Sequence, residues 1–468
     1  MKRYLILALC LSGCVAGPDY QEPKVDTPKQ WSAPSSETTG KLLATWWKQF
    51  NDPILNKLIN DAVQSNLDLK QATERIKAAR EQRIMAVASA LPSIGTKNNI
   101  NRRLNSAATT SSTQQAGGFG FGNQTIDILQ LGLDAQWEID FFGGAQRAIE
   151  AADATINSEI EQRRDVLVSL LGEIARLYIE LRGNQQLIAI TEANIKNQQD
   201  TLHLLQVRYQ AGLADQSEIA QAEAELASIQ AQIPNYQALI QQAVHGLSVL
   251  LAKQPNDLTA KLTPIKNIPT VKQKVLPDLP SELLKRRPDI RYAERQLAVA
   301  NAQIGIATTE LYPKFNLSAF LGLQNTKITD MTLLGRSWSA GTTLAMPIFN
   351  WGKINANIRT KEAGYQQQLL NYQKTVLTAF KEVEDALVAY DKEQQKQQSL
   401  EQAVTANQHA VKLATERYEK GLNNFLSVLT SQQTLHQAQT NLINSQAKQS
   451  ANIVMLYKVL GGGWQGVQ

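Results

Sequence analysis

Two short segments of the chain share one pattern: RYQAGL at 208–213 and RYEKGL at 417–422. They lie 209 residues apart, and the same shift aligns 137–255 with 346–464 without a gap. Further upstream a shift of 221 residues aligns the two copies, so the first copy holds 12 extra residues, in and around 107–124. Because self-similarity of this kind marks a repeated structural unit, the sequence predicts a tandem duplication.

The segments that lead into both motifs are predicted to be long helices. Apolar residues return every seven positions from Ile174 to Leu202, and the second copy repeats this period. A sustained seven-residue period is typical of helices in a left-handed supercoil. Since no proline interrupts 145–210, that range is predicted to be one helix of roughly 100 Å. Several shorter core helices are the alternative.

Each motif is predicted to end a helix at the tip of a helical hairpin. Gly212 and its counterpart Gly421 suit the left-handed residue that follows a helix, and Leu213 and Leu422 are expected to fold back on the last turn.

The helices that follow the tips begin with capping residues. Asp215 followed by Glu218 predicts a capping box, and Asn424 is the expected N-cap of the second copy.

Four stretches alternate between apolar and polar residues with the period of a β-strand. They are 129–139, 315–323, 338–348 and a weaker one that starts at Ile94. Strands of about ten residues with one apolar face are typical of an outer-membrane barrel. A soluble half-buried sheet shows the same alternation and is the alternative.

Four strands from one chain cannot close in lipid, because both edges leave backbone groups unpaired in hydrocarbon. Eight-stranded barrels are filled by their own side chains, and larger barrels leave a channel. Twelve strands from three chains are therefore the smallest expected assembly with a lumen. Asp134, Glu138 and Asp140 are expected to face water.

The N-terminus has the pattern of a secretory signal peptide. Two basic residues precede a short apolar run, and Leu11-Ser12-Gly13-Cys14 follows. This tetrapeptide resembles the bacterial lipobox, in which cleavage leaves Cys14 as the lipidated first residue. Val15 after the cysteine points to the outer membrane rather than the inner one. An ordinary signal peptide with an incidental cysteine is the alternative.

Composition excludes several classes of function. The net charge of +5 on 468 residues forms no basic block, which argues against nucleic-acid binding. Cys10 leaves with the signal peptide and Cys14 carries lipid, so neither a disulfide nor a thiolate metal site is expected. No nucleophile motif or phosphate loop occurs, and the four histidines are not paired at metal-ligand spacing. We therefore expect no catalytic residues, no metal and no cofactor other than the covalent lipid.

The chain resembles the outer membrane factors of the TolC family, most closely the lipoprotein branch (NodT/OprM-like). The resemblance covers nearly all of the mature chain. It rests on Trp46-Trp47-x-x-Phe50-x-Asp52-Pro53, LPSELLKRRPDIRYAERQLAVANAQIG (279–305), MPIFNWGK (346–353) and both tip motifs.

The resemblance implies an α+β fold in a homotrimer, with a twelve-stranded outer-membrane barrel continued by a periplasmic α-helical coiled-coil barrel and an equatorial domain. The implied domains are a signal peptide 1–13, a lipidated N-terminus and equatorial segment 14–50, a first repeat 51–255, an equatorial linker 256–280 and a second repeat 281–464. The implied function is the passive exit duct of a tripartite efflux pump for drugs or other small molecules. The implied partners are a periplasmic adaptor, an inner-membrane transporter of the RND type and outer-membrane lipid.

The resemblance also assigns roles to the tips. Adaptor docking falls to the tip residues, which are Arg208, Tyr209, Gly212, Leu213, Arg417, Tyr418, Gly421 and Leu422. A periplasmic gate falls to a Tyr418–Glu218 link, with Leu426 or Leu429 as an apolar constriction. Thr430 and Ser427 are uncharged where relatives often carry acidic residues, which argues against an acidic ring from the second hairpin.

Three other functions remain open from the residues. A lipid-anchored coiled-coil tether explains the lipobox and the heptads but not the alternating strands. An enzyme needs a nucleophile and a base, which the sequence does not offer. A duct for protein export rather than small molecules is the third, and the cargo itself cannot be identified from this chain.

Overall fold

The computed structural model describes residues 15–32, 44–105, 124–271, 280–325 and 335–466. Cys14 and most of the 107–124 loop lie outside these residues, so lipidation stays a prediction. The helices are α1 Pro53–Ser65, α2 Leu67–Ser89, α3 Gly144–Gln210, α4 Gln216–Gln230, α5 Gln232–Leu250, α6 Thr259–Leu262, α7 Pro280–Arg286, α8 Pro288–Thr309, α9 Lys353–Glu419 and α10 Phe425–Val459. The strands are β1 Ser93–Asn105, β2 Gln124–Ile139, β3 Lys314–Asn325 and β4 Arg336–Ala345, and 3-10 turns span Trp46–Phe50 and Trp464–Gly466.

The tandem duplication is visible in the elements themselves. Helices α3 and α9 each have 67 residues, and their bounds differ by the shift read from the sequence. The prediction of one uninterrupted helix over 145–210 is confirmed. The copies differ after the tips, where the first has α4 and α5 and the second has the single helix α10. Pro234 lies in the first turn of α5, a position that a proline tolerates, and so marks where the first copy starts a new helix.

The chain divides into two compact units, and each draws on both copies of the repeat. The sheet unit consists of the described residues of 1–23, 76–157 and 294–371, and the helical unit of those of 24–75, 158–293 and 372–468. The two copies of the repeat are therefore not separate compact bodies. The domain boundaries given by the sequence remain a prediction.

The strands form one antiparallel sheet in the order β1-β2-β3-β4. In its register Leu133 lies between Thr96 and Leu321, and Glu138 opposes Asn316. Directly opposed residues share a face, so the sheet has one apolar and one polar face, as predicted. Large apolar side chains on the first face are solvent-exposed in the single chain, namely Ile94, Ile100, Leu131, Leu133, Trp137, Leu317, Leu321, Trp338 and Leu344.

The strands differ from the sequence-based expectation in three details. Strand β4 ends at Ala345 rather than Ile348, because Pro347 has no N–H to give to a ladder. Phe320 lies on the polar face, where its ring is buried over Gly132 and Gly322. Asp140 follows β2 and accepts the backbone N–H groups of 144–146 at 2.7 to 3.1 Å, so it caps α3.

Two of the sequence motifs have structural roles in the helical unit. Trp46 is buried and stacks on Tyr457 at 5.3 Å between ring centroids. Asp52 caps α1 through the Ile54 N–H at 2.7 Å and accepts the Tyr178 hydroxyl at 2.7 Å. Burial and this bond raise the pKa of Tyr178, so its hydroxyl stays a donor.

The RRPDIR motif contributes a buried cation. Arg287 contacts both carboxylate oxygens of Asp289 at 3.0 and 2.6 Å and Glu382 at 2.7 Å. It also donates to the Val459 carbonyl at 3.0 Å, so the guanidinium ties α8 to α9 and α10. A buried guanidinium with this many partners is costly to disrupt.

Within the described ranges, none of the helices is both long and apolar enough to cross a membrane.

The segment that follows Cys14 is docked in the sheet unit by one buried arginine. Arg147, 3% exposed, donates to the carbonyls of Ala16 at 3.1 Å and Gly17 at 3.2 Å. It also pairs with Asp19 at 2.8 Å and Glu150 at 2.7 Å. One guanidinium therefore contacts three residues of an irregular segment, Ala16, Gly17 and Asp19.

Other groups of the sheet unit also contact this segment. The Ala16 N–H donates to Phe142 O at 2.9 Å, and Asn301 donates to Pro18 O at 2.9 Å. Gly17 has φ +87°, and a Cβ there would lie 2.4 Å from the Gly305 Cα. Residues 15–19 are thus part of the fold, and the chain just behind the predicted lipid has a fixed position.

The contacts of the Arg147 guanidinium with Ala16, Gly17 and Asp19 are called the clamp, and its removal is expected to release residues 15–19. We predict that Arg147→Met lowers the hydrogen-exchange protection of the Ala16 amide about tenfold or more, because the buried Ala16 carbonyl and the part-buried Gly17 carbonyl lose a charged donor worth roughly 1.5–3 kcal/mol. The control is Arg83→Met, whose 2.5 Å pair with Asp153 is half-exposed in the same unit and should not affect Ala16. Unchanged protection in Arg147→Met would show that the clamp does not hold the segment.

Candidate hairpin tips and periplasmic gate

The two tip motifs have the same backbone geometry. In the first, the Leu213 N–H donates to Arg208 O at 2.8 Å and the Gly212 N–H to Tyr209 O at 2.9 Å. The second repeats this pair of bonds at 2.9 Å each, between its own equivalent residues. Gly212 has φ +72° and Gly421 φ +71°. Both tips are therefore Schellman motifs, which confirms the predicted left-handed glycines.

The leucines at the tips do not fold back, contrary to the expectation. Leu213 is 66% exposed and Leu422 is 64% exposed. The motif is closed by backbone bonds alone, so the leucine side chains are left in solvent. Tyr209 and Arg417 are also exposed. Each tip therefore has an apolar side chain that is left largely exposed to solvent in the single chain.

The predicted caps are present. The Ser217 N–H donates to Asp215 at 3.0 Å, and the Ser427 N–H donates to Asn424 at 3.3 Å. In the first copy the carboxylate of Glu218 accepts a bond from another hairpin, from the Tyr418 hydroxyl at 2.9 Å. The Asp215 half of the predicted capping box is confirmed, and Glu218 serves a longer-range contact.

The Tyr418–Glu218 contact joins the end of α9 to the start of α4, and hence one hairpin to the other. The Arg208 guanidinium lies over the Tyr418 ring, 4.8 Å from its centroid. Burial, together with the bond to Glu218, raises the pKa of Tyr418 to about 12. The hydroxyl thus remains protonated and donates to the carboxylate throughout the physiological range.

A small apolar cluster surrounds this contact. Its buried members are Leu205, Ala222, Ala414, Tyr418, Phe425, Val428 and Leu429. Phe425 packs edge-on against Tyr418 at 5.8 Å between centroids. Residues 425, 428 and 429 have the i, i+3, i+4 spacing of a buried helical stripe, so the sequence carries a signal for this cluster.

The two leucines proposed for a constriction have different surroundings. Leu429 is buried in the cluster, whereas Leu426 is 54% exposed. Of the two, Leu426 has the side chain that is free to face a lumen. Thr430 is exposed as well. Within the described residues, no group of three His, Cys, Asp or Glu side chains is placed to hold a metal ion.

Comparisons with known proteins agree with this architecture. The family model of the outer membrane efflux protein matches 58–253 and 279–462, one range in each copy of the repeat. Nodulation protein T of Rhizobium leguminosarum bv. viciae is 31% identical over 460 residues, covering 98% of this chain and 92% of that protein. The solvent efflux pump outer membrane protein SrpC of Pseudomonas putida is 33% identical over 473 residues, covering 97% of each.

Solved structures give the same result. The outer-membrane channel OprN superposes with a TM-score of 0.88 at 31% identity, covering 97% of this chain and 100% of that one. The predicted fold class, function and location are confirmed together. The chain belongs to the outer membrane efflux protein family and is an outer-membrane channel subunit for tripartite efflux.

Proposed function

We propose that three copies of this chain form a passive exit duct, lipid-anchored at Cys14, that a periplasmic adaptor connects to an inner-membrane transporter of the RND type. The observation that carries the proposal is the sheet. It has one exposed apolar face, one polar face, and strands β1 and β4 at its two edges. A sheet of this kind is complete in lipid only when each edge pairs with another chain.

The polar face supplies what a lumen needs. Asp134 and Glu138 alternate along β2 with apolar residues that face the other way. Glu138 lies 3.6 Å from Lys314 on the neighbouring strand, a half-exposed pair that tolerates water. In a closed barrel these side chains line the passage, while the apolar side chains contact lipid.

The cargo is proposed to be small molecules, including drugs and other amphiphiles. SrpC is named for solvent efflux and OpmQ of Pseudomonas aeruginosa for pyoverdine export, and both resemble this chain over almost its full length. Transport through such a duct requires an open lumen and a regulated aperture rather than a catalytic group. We therefore also propose that the chain is not an enzyme.

The aperture is proposed to be held closed by the Tyr418–Glu218 contact. It ties α9 to α4 beside the tips, and a hydrogen bond to a charged group contributes about 1.5–3 kcal/mol. When the bond is broken, the second hairpin keeps its apolar contacts at this level, together with the contact of Arg208 with the Tyr418 ring and a long bond from Arg208 to the Glu419 carbonyl at 3.5 Å. Leu426, exposed one residue beyond Phe425, is the proposed apolar constriction.

We predict that Tyr418→Phe and Glu218→Gln each raise the single-channel open probability of the trimer in a planar bilayer by about tenfold or more, since the lost bond favoured the closed state. The duplication offers a matched control, because Tyr209 is the counterpart of Tyr418 and is exposed. Tyr209→Phe should leave conductance unchanged. If the trimer conducts but none of the three substitutions changes its open probability, the duct proposal stands and the gate proposal is refuted. A monomer without conductance refutes the duct and favours the tether.

The exposed leucines of the tips are the proposed contact of the adaptor. We predict that Leu213→Asp with Leu422→Asp abolishes co-purification with the adaptor and drug efflux in cells, and leaves the trimer mass unchanged. Buried interface leucines contribute roughly 1.5–3 kcal/mol each, and a carboxylate there adds a desolvation cost.

The control pair is Leu204→Asp with Leu413→Asp. These residues are also repeat-related and exposed, but they lie in α3 and α9 before the tips. Normal adaptor binding by the tip variant, or equal loss in both variants, would rule out docking by the tips.

A further inference from the structure

A partly open cavity of about 230 Å³ lies between the two hairpins of the helical unit. Side chains of α3, α4, α9 and α10 line it. At about 30 Å³ per water, this is room for several water molecules. The side chains that α3 contributes are all polar, so the cavity offers partners for water molecules.

Polar bonds cross between the hairpins around this cavity. Gln432 donates to Thr201 at 3.1 Å, and Gln433 donates to Glu225 at 2.6 Å. Further along, Asn194 donates to Gln439 at 3.1 Å. We call these three bonds the hairpin seam. It joins α10 to α3 and α4.

His436 lies in the middle of the seam and takes no part in its bonds. Its Nε2 atom is buried, lines the cavity and has no hydrogen-bond partner within the described residues. The other three histidines, 203, 245 and 409, are exposed. A buried imidazole nitrogen without a hydrogen-bond partner costs folding free energy. This cost makes the protonation state of His436 the property of interest at this site.

The charged groups that face His436 come from two helices. Among the residues that line the cavity, Asp200 of α3 and Glu225 of α4 are the other titratable ones. Helix α9 contributes Val411, and α10 itself contributes Leu435 and Gln432. Burial lowers the pKa of His436, and the charge of Glu225 partly offsets this.

We propose that His436 makes the hairpin seam sensitive to protons. Neutral His436 packs in the seam, which stays closed. When the imidazole is protonated, a cation lies in the cavity, and it draws in water and competes with Gln433 for the Glu225 carboxylate. The seam then loosens, seven residues along α4 from the Tyr418–Glu218 contact, so acid favours a looser arrangement of the two hairpins.

The sign follows from proton linkage. The closed seam favours neutral imidazole, so its His436 pKa lies below the ordinary value of about 6.5 that a hydrated, loosened seam restores. The loosened state therefore binds more protons, and its population grows as pH falls below about 6.5. One proton per event limits the growth to about tenfold per pH unit.

The test is hydrogen exchange on the full-length trimer in mild detergent, between pH 7.5 and 5.5, with rates corrected for the intrinsic pH dependence of exchange. We expect the protection of amides in 216–230 and 425–440 to fall several-fold toward pH 5.5. In His436→Gln, which stays uncharged, protection should not change with pH. The control His203→Gln, on exposed α3 surface, should behave as the parent does.

Two results would overturn the proposal: protection that is independent of pH in the parent, or the same loss in His436→Gln. If His436→Gln does not form trimers, His436→Asn replaces it. Because Glu225 also accepts a seam bond, His436→Asn is a cleaner replacement than a change of that carboxylate: it too stays uncharged, and a loss of protection toward pH 5.5 in that variant also refutes the proposal. Conductance at pH 7.5 tests the duct separately, since neutral His436 leaves it unaffected.

Discussion

Unpaired backbone at the two edges of the sheet is the constraint on which the rest of the structure depends. Strands β1 and β4 each have one neighbour in the described chain, and hydrocarbon offers no hydrogen bonds to a free edge. The apolar face of this sheet is exposed in the single chain, which is reasonable only if lipid covers it. A chain with four strands must therefore share its barrel, and its long helices are then brought together by the same symmetry.

Sequence differences between the two copies of the repeat create a specific contact between the two hairpins. The sequences of α3 and α9 and of their glycine tips still align without a gap. The residues just after the tips do not, since Glu218 of the first copy corresponds to Ser427 of the second. As a result, Tyr418 has a carboxylate partner from the other hairpin, and its counterpart Tyr209 is left exposed. The duplication accounts for the presence of two hairpins, and the difference between Glu218 and Ser427 accounts for the specific contact between them.

Local rules made most of the fold predictable. The glycine tips, the caps and the uninterrupted α3 follow from backbone preferences of a few residues, and the faces of the strands follow from a period of two. Contacts between distant residues were not predictable. The position of Phe320 over its glycines, the contacts of Arg147 with the N-terminal segment and the buried Nε2 atom of half-buried His436 depend on how elements pack. The exposed leucines of the tips were misjudged, because backbone bonds alone close a Schellman motif.

Disulfide cross-linking between edge strands tests the shared barrel most directly. Lys97→Cys on β1 would be combined in turn with Ser337→Cys, Ser339→Cys or Gly341→Cys on β4, all on the polar face. Within one chain these edges are three strand spacings apart, roughly 14 Å, which is too far for a disulfide. We expect oxidation of at least one pair to give covalent dimers and trimers and nothing larger. Monomers alone in every pair, in protein that is otherwise folded in the outer membrane, would contradict the account.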